Sequence, residues 1–582
     1  MAHMLFTVLG RDARPTRYSL GDQRVEARLA PLALFKLLDE PDLPCHVYAL
    51  CTEEAEKETF PVLQEGLEGI ATVTCTKVPG IKELSTQEGI DKFISEVARV
   101  ITESQCKSLS LDITHGPRHL SFLVYAIALF SSALMGIEIC GAYYGLSTDQ
   151  DGENAFFDLR PLIELPDWIH AIRVLNETGS AMAISEILTK SDAKNSAKVI
   201  RDLQRLSKAF LSGLPLEVGY MARGLLGDGV KSLRKILKHY HRLPFSDDLV
   251  GKLEQALATV TLPGNETGTA KRWVKGKTPL TNDELIRQAN YINTLIKQNN
   301  VTTALGLIRE WTVSWVIWQQ PTKRAQWLAH STVRKQAENA LNSLRATAGD
   351  KSVSSLLTSE QMELANFWKN IADLRNAYYH NGMRKQNLLD DKQTADKWDS
   401  VLLYWEHLSS CPEIDLNFSR ERITLVSPIG QKRGVLFSAL QNVTADLGKH
   451  PDYCIVICSE SSKEAVPEVL QTVGYAGHVI YLVLDDPHAG YSEMPGLTDR
   501  IRRPIAESAT VLVNLTGGTT LMGITASEIA DKARSLNRRV RRFALIDRRT
   551  PEEQDADQYR VSEILWLDKL RTTEGFEDVD EG

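Results

Sequence analysis

From Leu5 to about Leu162, short and nearly continuous apolar runs alternate with stretches whose apolar residues recur every three to four positions. That alternation is what a parallel sheet covered by helices requires. The runs predict strands at Leu5–Leu9, Cys45–Leu50, Ala71–Thr76, Ser108–Ile113 and Ile137–Tyr144. The periodic stretches predict helices at Ala27–Leu38, Thr52–Leu67, Gln87–Glu103 and Arg118–Met135. Between Pro166 and Leu408 the strand signal vanishes, and Leu, Ala, Lys, Arg and Glu recur at helical period. Within it, Leu262–Asn282 is punctuated by Pro263, Gly264, Gly268, Gly276 and Pro279 and reads as an exposed loop. From Arg422 the alternation resumes, with strands at Ile423–Val426, Tyr453–Cys458, His478–Leu484, Thr510–Leu515 and Arg541–Ile546. Helices are expected between them at Arg433–Leu447, Ser462–Val473, Leu497–Ser508 and Thr519–Ser535. The pattern predicts a multidomain α/β plus all-α chain. A Rossmann-like domain occupies 4–165, a helical domain 166–412, a second Rossmann-like domain 420–570 and an acidic tail 571–582. The two α/β parts are alike in pattern but not visibly in sequence, which makes them a divergent repeat.

Composition narrows the partners. With 67 Lys and Arg against 75 Asp and Glu, the net charge of −8 argues against DNA binding and against any general electrostatic grip on nucleic acid, so an RNA contact has to be local. Eight cysteines without a CxxC pair fit a reduced, cytoplasmic setting. The longest apolar candidate, Leu120–Met135, is interrupted by Ser121, Tyr125, Ser131 and Ser132, so no membrane span is expected. Met1 to Met4 lack the plan of a signal peptide and are set aside from the fold as an added leader. No His, Asp or Glu cluster has metal-ligand spacing.

Ligands of open parallel sheets settle outside the carboxyl ends of the strands, beside helix N-termini. There the first domain carries Asp112, Ile113, Thr114, His115, Gly116, Pro117 and Arg118, with Thr114, His115 and Arg118 in reach of a phosphate. Gly10 and Arg11 follow its first strand. The second domain carries Asn514, Leu515, Thr516, Gly517, Gly518 and Thr519, joined by Ser427, Gly430, Ser459 and Glu460 as candidate pocket residues, with Lys432 and Arg433 nearby. No loop has GxGxxG spacing, which disfavours hydride transfer. Spacing alone leaves a simple turn and an anion cradle equally open for both loops.

In the helical middle, Arg375, Asn376 and His380 read R-N-x-x-x-H. Metal-free RNA cleavage needs a group that moves protons and a cation that holds phosphate charge, and this set offers both. Arg375 and His380 lie about 140° apart on an ideal helix, so two facing copies suit one phosphate better than one. Asn376 and His380 share a face. Alone, such a pair equally fits a solvated face or a helix end at Asn381 and Gly382.

The run from Asp112 to Gly116 resembles the D-x-T-H-G signature of CRISPR-associated CARF domains, Rossmann-like sensors of cyclic oligoadenylates. Asn514 to Thr519 is similar to the N-x-T-G-G-T run of other CARF branches, with Thr520 where a lysine is usual. An R-N-x-x-x-H helical domain after a D-x-T-H-G domain resembles the CARF-HEPN ribonucleases of type III CRISPR systems, over about residues 4 to 410. The resemblance implies a homodimer or higher even oligomer. It implies a cyclic oligoadenylate activator, tetra-adenylate first and hexa-adenylate second, with no cofactor. Single-stranded RNA would be the substrate, and Arg375, Asn376 and His380 from two copies would form the catalytic site. The segment from Arg422 is an addition with three readings: second sensor, inert dimerisation unit, or ring nuclease that degrades the activator. The last is favoured because a nuclease that damages RNA needs an off switch. Two other readings compete: a non-enzymatic nucleotide-sensing regulator, and an intramolecular pair made by the two α/β domains.

Other stretches carry simpler expectations. His239 and His241 beside Lys235, Lys238 and Arg242 read as a solvated basic face, and Arg538, Arg539, Arg541 and Arg542 as exposed. Trp311, Trp315 and Trp318 read as a core stripe.

Overall fold

A computed structural model describes residues 3–38, 44–80, 82–116, 118–148, 153–190, 197–239, 246–263, 274–379, 389–416 and 422–568. The tail, His241, Arg242, His380 and residues 264–273 of the 262–282 loop lie outside these residues, as do the side chains of Arg118, Lys238 and His239. The fold is mixed α/β with two mixed sheets and many helices. The chain divides into two compact units, 1–208 with 224–255 and 209–223 with 256–582.

In the first unit, strands β1 (His3–Val8), β2 (Thr16–Leu20), β3 (Gln23–Ala27), β4 (His46–Cys51), β5 (Thr72–Lys77), β6 (Ser108–Asp112), β7 (Glu138–Thr148) and β8 (Glu153–Asp158) form one sheet. Their order is β3-β2-β8-β7-β6-β1-β4-β5. In the second unit, β9 (Ile423–Pro428), β10 (Tyr453–Ser459), β11 (His478–Leu484), β12 (Thr510–Asn514), β13 (Arg539–Ile546) and β14 (Glu563–Trp566) are ordered β11-β10-β9-β12-β13-β14. Strand for strand this matches β5-β4-β1-β6-β7-β8, and both runs end in an antiparallel pair, β7 with β8 and β13 with β14. The repeat is one of topology. In each sheet the strand order reverses between the first strand and its fourth-position partner, β1 beside β6 and β9 beside β12.

Several local expectations change. Gln23–Ala27 is a strand, because Gly21 at φ +60° and Asp22 turn it back onto β2; the helix expected from Ala27 therefore starts at Ala30. The helices expected at Thr52–Leu67, Ser462–Val473 and Leu497–Ser508 are each split in two. Pro61, Pro467 and Pro504 sit in those segments and lack the N–H an unbroken helix would use. Of the four opening residues, His3 and Met4 belong to the fold: His3 hydrogen-bonds Ser108 Oγ at 2.9 Å and Ser110 Oγ at 3.1 Å, and Met4 is buried; Met1 and Ala2 lie outside the described residues.

The helix Arg118–Met135 buries Leu120, Val124, Ile127 and Ala128 against Phe93, Val97 and Ile101. Its other face leaves Phe122, Phe130 and Leu134 69%, 69% and 72% exposed. Among the described residues no helix is long and apolar enough to cross a membrane.

The helical part of the second unit packs Val301–Trp318, Lys335–Gly349, Ser359–Tyr379 and Asp391–Leu408 around Trp311, Trp315, Trp368 and Trp405. Trp318 is half-buried at the margin. Each core indole N–H finds an acceptor, as buried tryptophans require: Trp311 donates to Leu285 O (2.8 Å), Trp315 to Pro412 O (3.1 Å), Trp368 to Asn342 Oδ1 (2.9 Å) and Trp405 to Asn293 Oδ1 (2.8 Å).

This helical part is fastened to the second sheet. Val353, just after the Lys335 helix, joins the apolar cluster of Ile455, Leu482, Val511 and Ile529, and Leu356 packs on it. Asp350 pairs with Lys532 at 2.5 Å, Arg538 donates to Thr347 Oγ1 at 3.0 Å and Ser343 donates to Asn537 O at 3.0 Å. Arg538, expected to be exposed, is therefore buried, because it faces a helix rather than solvent. Arg541 lies over the Trp566 ring at 3.6 Å and pairs with Asp446 at 3.0 Å, while Arg542 pairs with Asp568 at 2.8 Å. Of the four, Arg539 is the exposed one.

Burial raises the Asp350 carboxyl, but hydrogen bonds from Lys532 and Ser352 outweigh it and hold it down to about 2. An unfolded carboxylate titrates near 3.9, so this contact stabilises the fold above about pH 4 and is lost as pH falls from about 4 to about 2. Asp350→Asn is expected to lower the thermal midpoint by about 2–4 °C at pH 7. In a pH series the gap between variant and parent should close below about pH 3; a gap that stays constant to pH 2 contradicts the account.

Candidate functional site

Both reversal points are built by the same hydrogen-bond circuit. At the end of β6, buried Asp112 accepts from Thr7 Oγ1 of β1 at 2.8 Å and from the Thr114 N–H at 3.1 Å. The Thr114 hydroxyl in turn accepts from the Gly145 N–H of β7 at 3.0 Å. At the end of β12, buried Asn514 donates to Ser427 Oγ of β9 at 3.0 Å, and its Oδ1 accepts from the Thr516 N–H at 2.9 Å. The Thr516 hydroxyl accepts from the Leu545 N–H of β13 at 2.7 Å. A glycine in the left-handed region follows each threonine. Gly116 has φ +97°, and a Cβ there would lie 2.8 Å from Val8 Cγ1. Gly517 has φ +101°, with Val435 Cγ1 at 2.7 Å. Any side chain at either position is both strained and blocked.

This circuit sorts the candidate residues. Thr114, Thr516 and Ser427 are committed to holding the loops, and Ser427 is fully buried. In the first sheet the loops after β1 and β6 meet, since a Cβ at Gly10 would lie 3.4 Å from His115 Cγ. Half-buried His115 and exposed Gly116 therefore border the turn at Gly10. Arg11 is exposed and pairs with Glu54 at 2.6 Å. Arg118 opens the following helix.

In the second sheet a Cβ at Gly430 would lie 2.9 Å from Gly518 Cα, so these two loops touch as well. Thr519 caps the helix Thr520–Ser535, accepting from the Met522 N–H at 3.4 Å, and its hydroxyl donates to the Pro487 carbonyl. Ser459 caps the helix Glu460–Lys463, and exposed Glu460 pairs with Lys463 at 3.1 Å. Lys432 and Arg433 are engaged by Asp555 and Glu468.

In the helical part, Arg375 and Asn376 border a cleft of about 120 Å³ with Arg309, Asn342, Trp368, Ile371 and Ala372. Arg375 is exposed, with its guanidinium 5.2 Å from the centre of the Tyr379 ring. Asp373, the nearest acid in sequence, is drawn away by Lys397 at 2.7 Å. Among the described residues no carboxylate pairs with Arg375, which leaves its charge available to an anion. Arg309 is different: it sits 5.6 Å from the Trp368 ring centre and pairs with Glu310 at 2.5 Å and Glu338 at 3.0 Å. Arg309 and Asn342 are distant in sequence from the R-N-x-x-x-H run, Trp368 lies two turns before Arg375 on the same helix, and no local pattern marks them. His380 is the residue after the helix ends at Tyr379 and lies outside the described residues. Among the described residues no three His, Cys, Asp or Glu side chains are grouped to hold a metal.

No family model matches the chain. Over 160 residues, 27% of this chain, it is 26% identical to a protein of Methanocaldococcus jannaschii named CRISPR-associated protein MJ1674. The match spans 23% of that relative, so this chain covers less than a quarter of its length. The likeness supports a CRISPR association.

Replacing Asn514 by Leu removes an acceptor from the Thr516 N–H and a partner from Ser427. Denaturant unfolding should register a cost of about 1–3 kcal/mol. Glu460→Ala, at an exposed site, should stay within about 0.5 kcal/mol. Equal effects for the two would show that the circuit does not hold the loop.

Proposed function

We propose that this chain is a cyclic-oligoadenylate-activated, metal-independent endoribonuclease of a type III CRISPR defence system, working in the cytoplasm as a homodimer. The observation that carries the reading is Arg375, exposed beside Asn376 in a cleft at the end of its helix and paired with no carboxylate among the described residues. The CRISPR-named relative supports the same direction. In this reading residues 4–165 are a CARF sensor, with His115, Gly116, Gly10, Arg11 and Arg118 around the ring. Residues 166–412 are the HEPN part.

The chemistry is transesterification. The RNA 2′-hydroxyl attacks the adjacent phosphorus, the P–O5′ bond breaks, and His380 moves the proton to the departing 5′-oxygen. Arg375 holds the charge that grows on the non-bridging oxygens. Asn376 orients the imidazole.

The exposed stripe of Phe122, Phe130 and Leu134 favours a two-copy assembly, because apolar side chains at this spacing are normally covered. The stripe lies on the helix that begins at the D-x-T-H-G loop, so two-fold pairing there brings two loops together around a symmetric ring. The C-terminal sheet repeats the loop circuit, and we read residues 420–570 as a second CARF domain that takes the ring and lets its own 2′-hydroxyls open it. With Lys432 and Arg433 engaged elsewhere, backbone N–H groups at Gly517 and Gly518 carry the phosphate contact.

A fluorogenic RNA incubated with each ring tests the proposal. Arg375→Ala and His380→Ala should each lower cleavage by at least about 100-fold while ring binding persists. Cutting at the parental rate by either variant would falsify the assignment, and no cutting by the parent with any ring favours the non-enzymatic regulator. Separately, Phe130→Glu should halve the solution mass and silence cleavage; an unchanged mass removes the two-copy arrangement.

A further inference from the structure

The contacts that fasten the helical part to the second sheet continue into the cleft. The helix Thr520–Ser535 starts at the Thr519 loop and ends beside Lys532 and Arg538, which hold Asp350 and Thr347. Thr347 and Ser343 lie on the Lys335 helix, one residue beyond Asn342 in the case of Ser343. Asn342 borders the Arg375 cleft and accepts the Trp368 indole N–H at 2.9 Å. Glu338, on the same helix, pairs at 3.0 Å with Arg309, the cleft residue stacked over Trp368. One helix of 15 residues thus carries both the anchors to the sheet and two side chains that set the cleft wall. A rigid helix cannot shift at one set of contacts without moving the other.

We infer that Lys532 and Arg538 are positioning residues for the RNA-cleaving cleft, acting through the Lys335 helix, so that the second sheet governs that cleft by contact. The inference rests on the ribonuclease reading and adds that the C-terminal domain is part of the cleavage apparatus as well as a ligand domain. Neither side chain touches RNA. Their effect is to fix Asn342 and Arg309, and with them the wall facing Arg375.

The test uses the full chain in two variants, Lys532→Ala and Thr347→Val, with a ring activator and reporter RNA. Each should lower kcat by about three- to tenfold with KM for RNA unchanged. Amides of the Ser359–Tyr379 helix should exchange with deuterium faster than in the parent. The paired swap Lys532→Asp with Asp350→Lys should restore both readouts. Should Lys532→Ala fail to fold, Thr347→Val carries the test alone. Unchanged exchange in that helix overturns the inference, as does a loss seen only in KM, or a swap that restores neither readout. If the parent cuts no RNA with any ring, the ribonuclease reading fails, while the exchange comparison still decides whether the sheet positions the cleft.

Discussion

A polar side chain buried at the end of a central strand has to be satisfied where the chain leaves the sheet, and much of this molecule follows from meeting that demand twice. Asp112 and Asn514 are 1% and 0% exposed. Left without partners, either would cost several kcal/mol, more for the carboxylate. Each takes a hydroxyl from the neighbouring first strand and the N–H two residues ahead, and the intervening threonine reaches the next strand. The result ties three strands and one loop together at the point where the strand order reverses. The glycine after each threonine is then forced, because the turn needs a left-handed residue and a valine closes the space above it.

Most strands and both motif loops were legible because runs buried on both faces are continuously apolar and sit at regular intervals. What escaped notice was short, lay at edges or, like the interior β8 (Glu153–Asp158), lacked a continuous apolar run. The β2–β3 hairpin carries mixed residues such as Arg17, Glu26 and Gln23, and β14 is an edge strand of Glu563–Trp566, so neither shows a buried run. Arg538, Arg541 and Arg542 near β13 were misread, Arg539 being exposed as expected, because sequence shows charge but not the Thr347, Trp566 ring, Asp446 or Asp568 that take it up. At the cleft, Arg375 and Asn376 were legible as a motif, whereas Arg309 and Asn342 come from two other helices that only tertiary packing brings to it.

The charges around the three candidate places are distributed unequally, and that bears on their work. Arg375 has no acid against it among the described residues, while Arg309 beside it has two. One arginine is therefore held ready for an anion and the other is spent on structure. In the second sheet the nearby cations Lys432 and Arg433 are both taken by acids.

The two circuits also differ in proton polarity. At the first loop Asp112 accepts from the Thr7 hydroxyl. Asn514 donates, so Ser427 accepts and passes its own proton to the Pro428 carbonyl at 3.3 Å. One loop plan is thus held with opposite hydrogen-bond polarity in the two sheets: a carboxylate accepts from the first strand's hydroxyl in one, and an amide donates to it in the other.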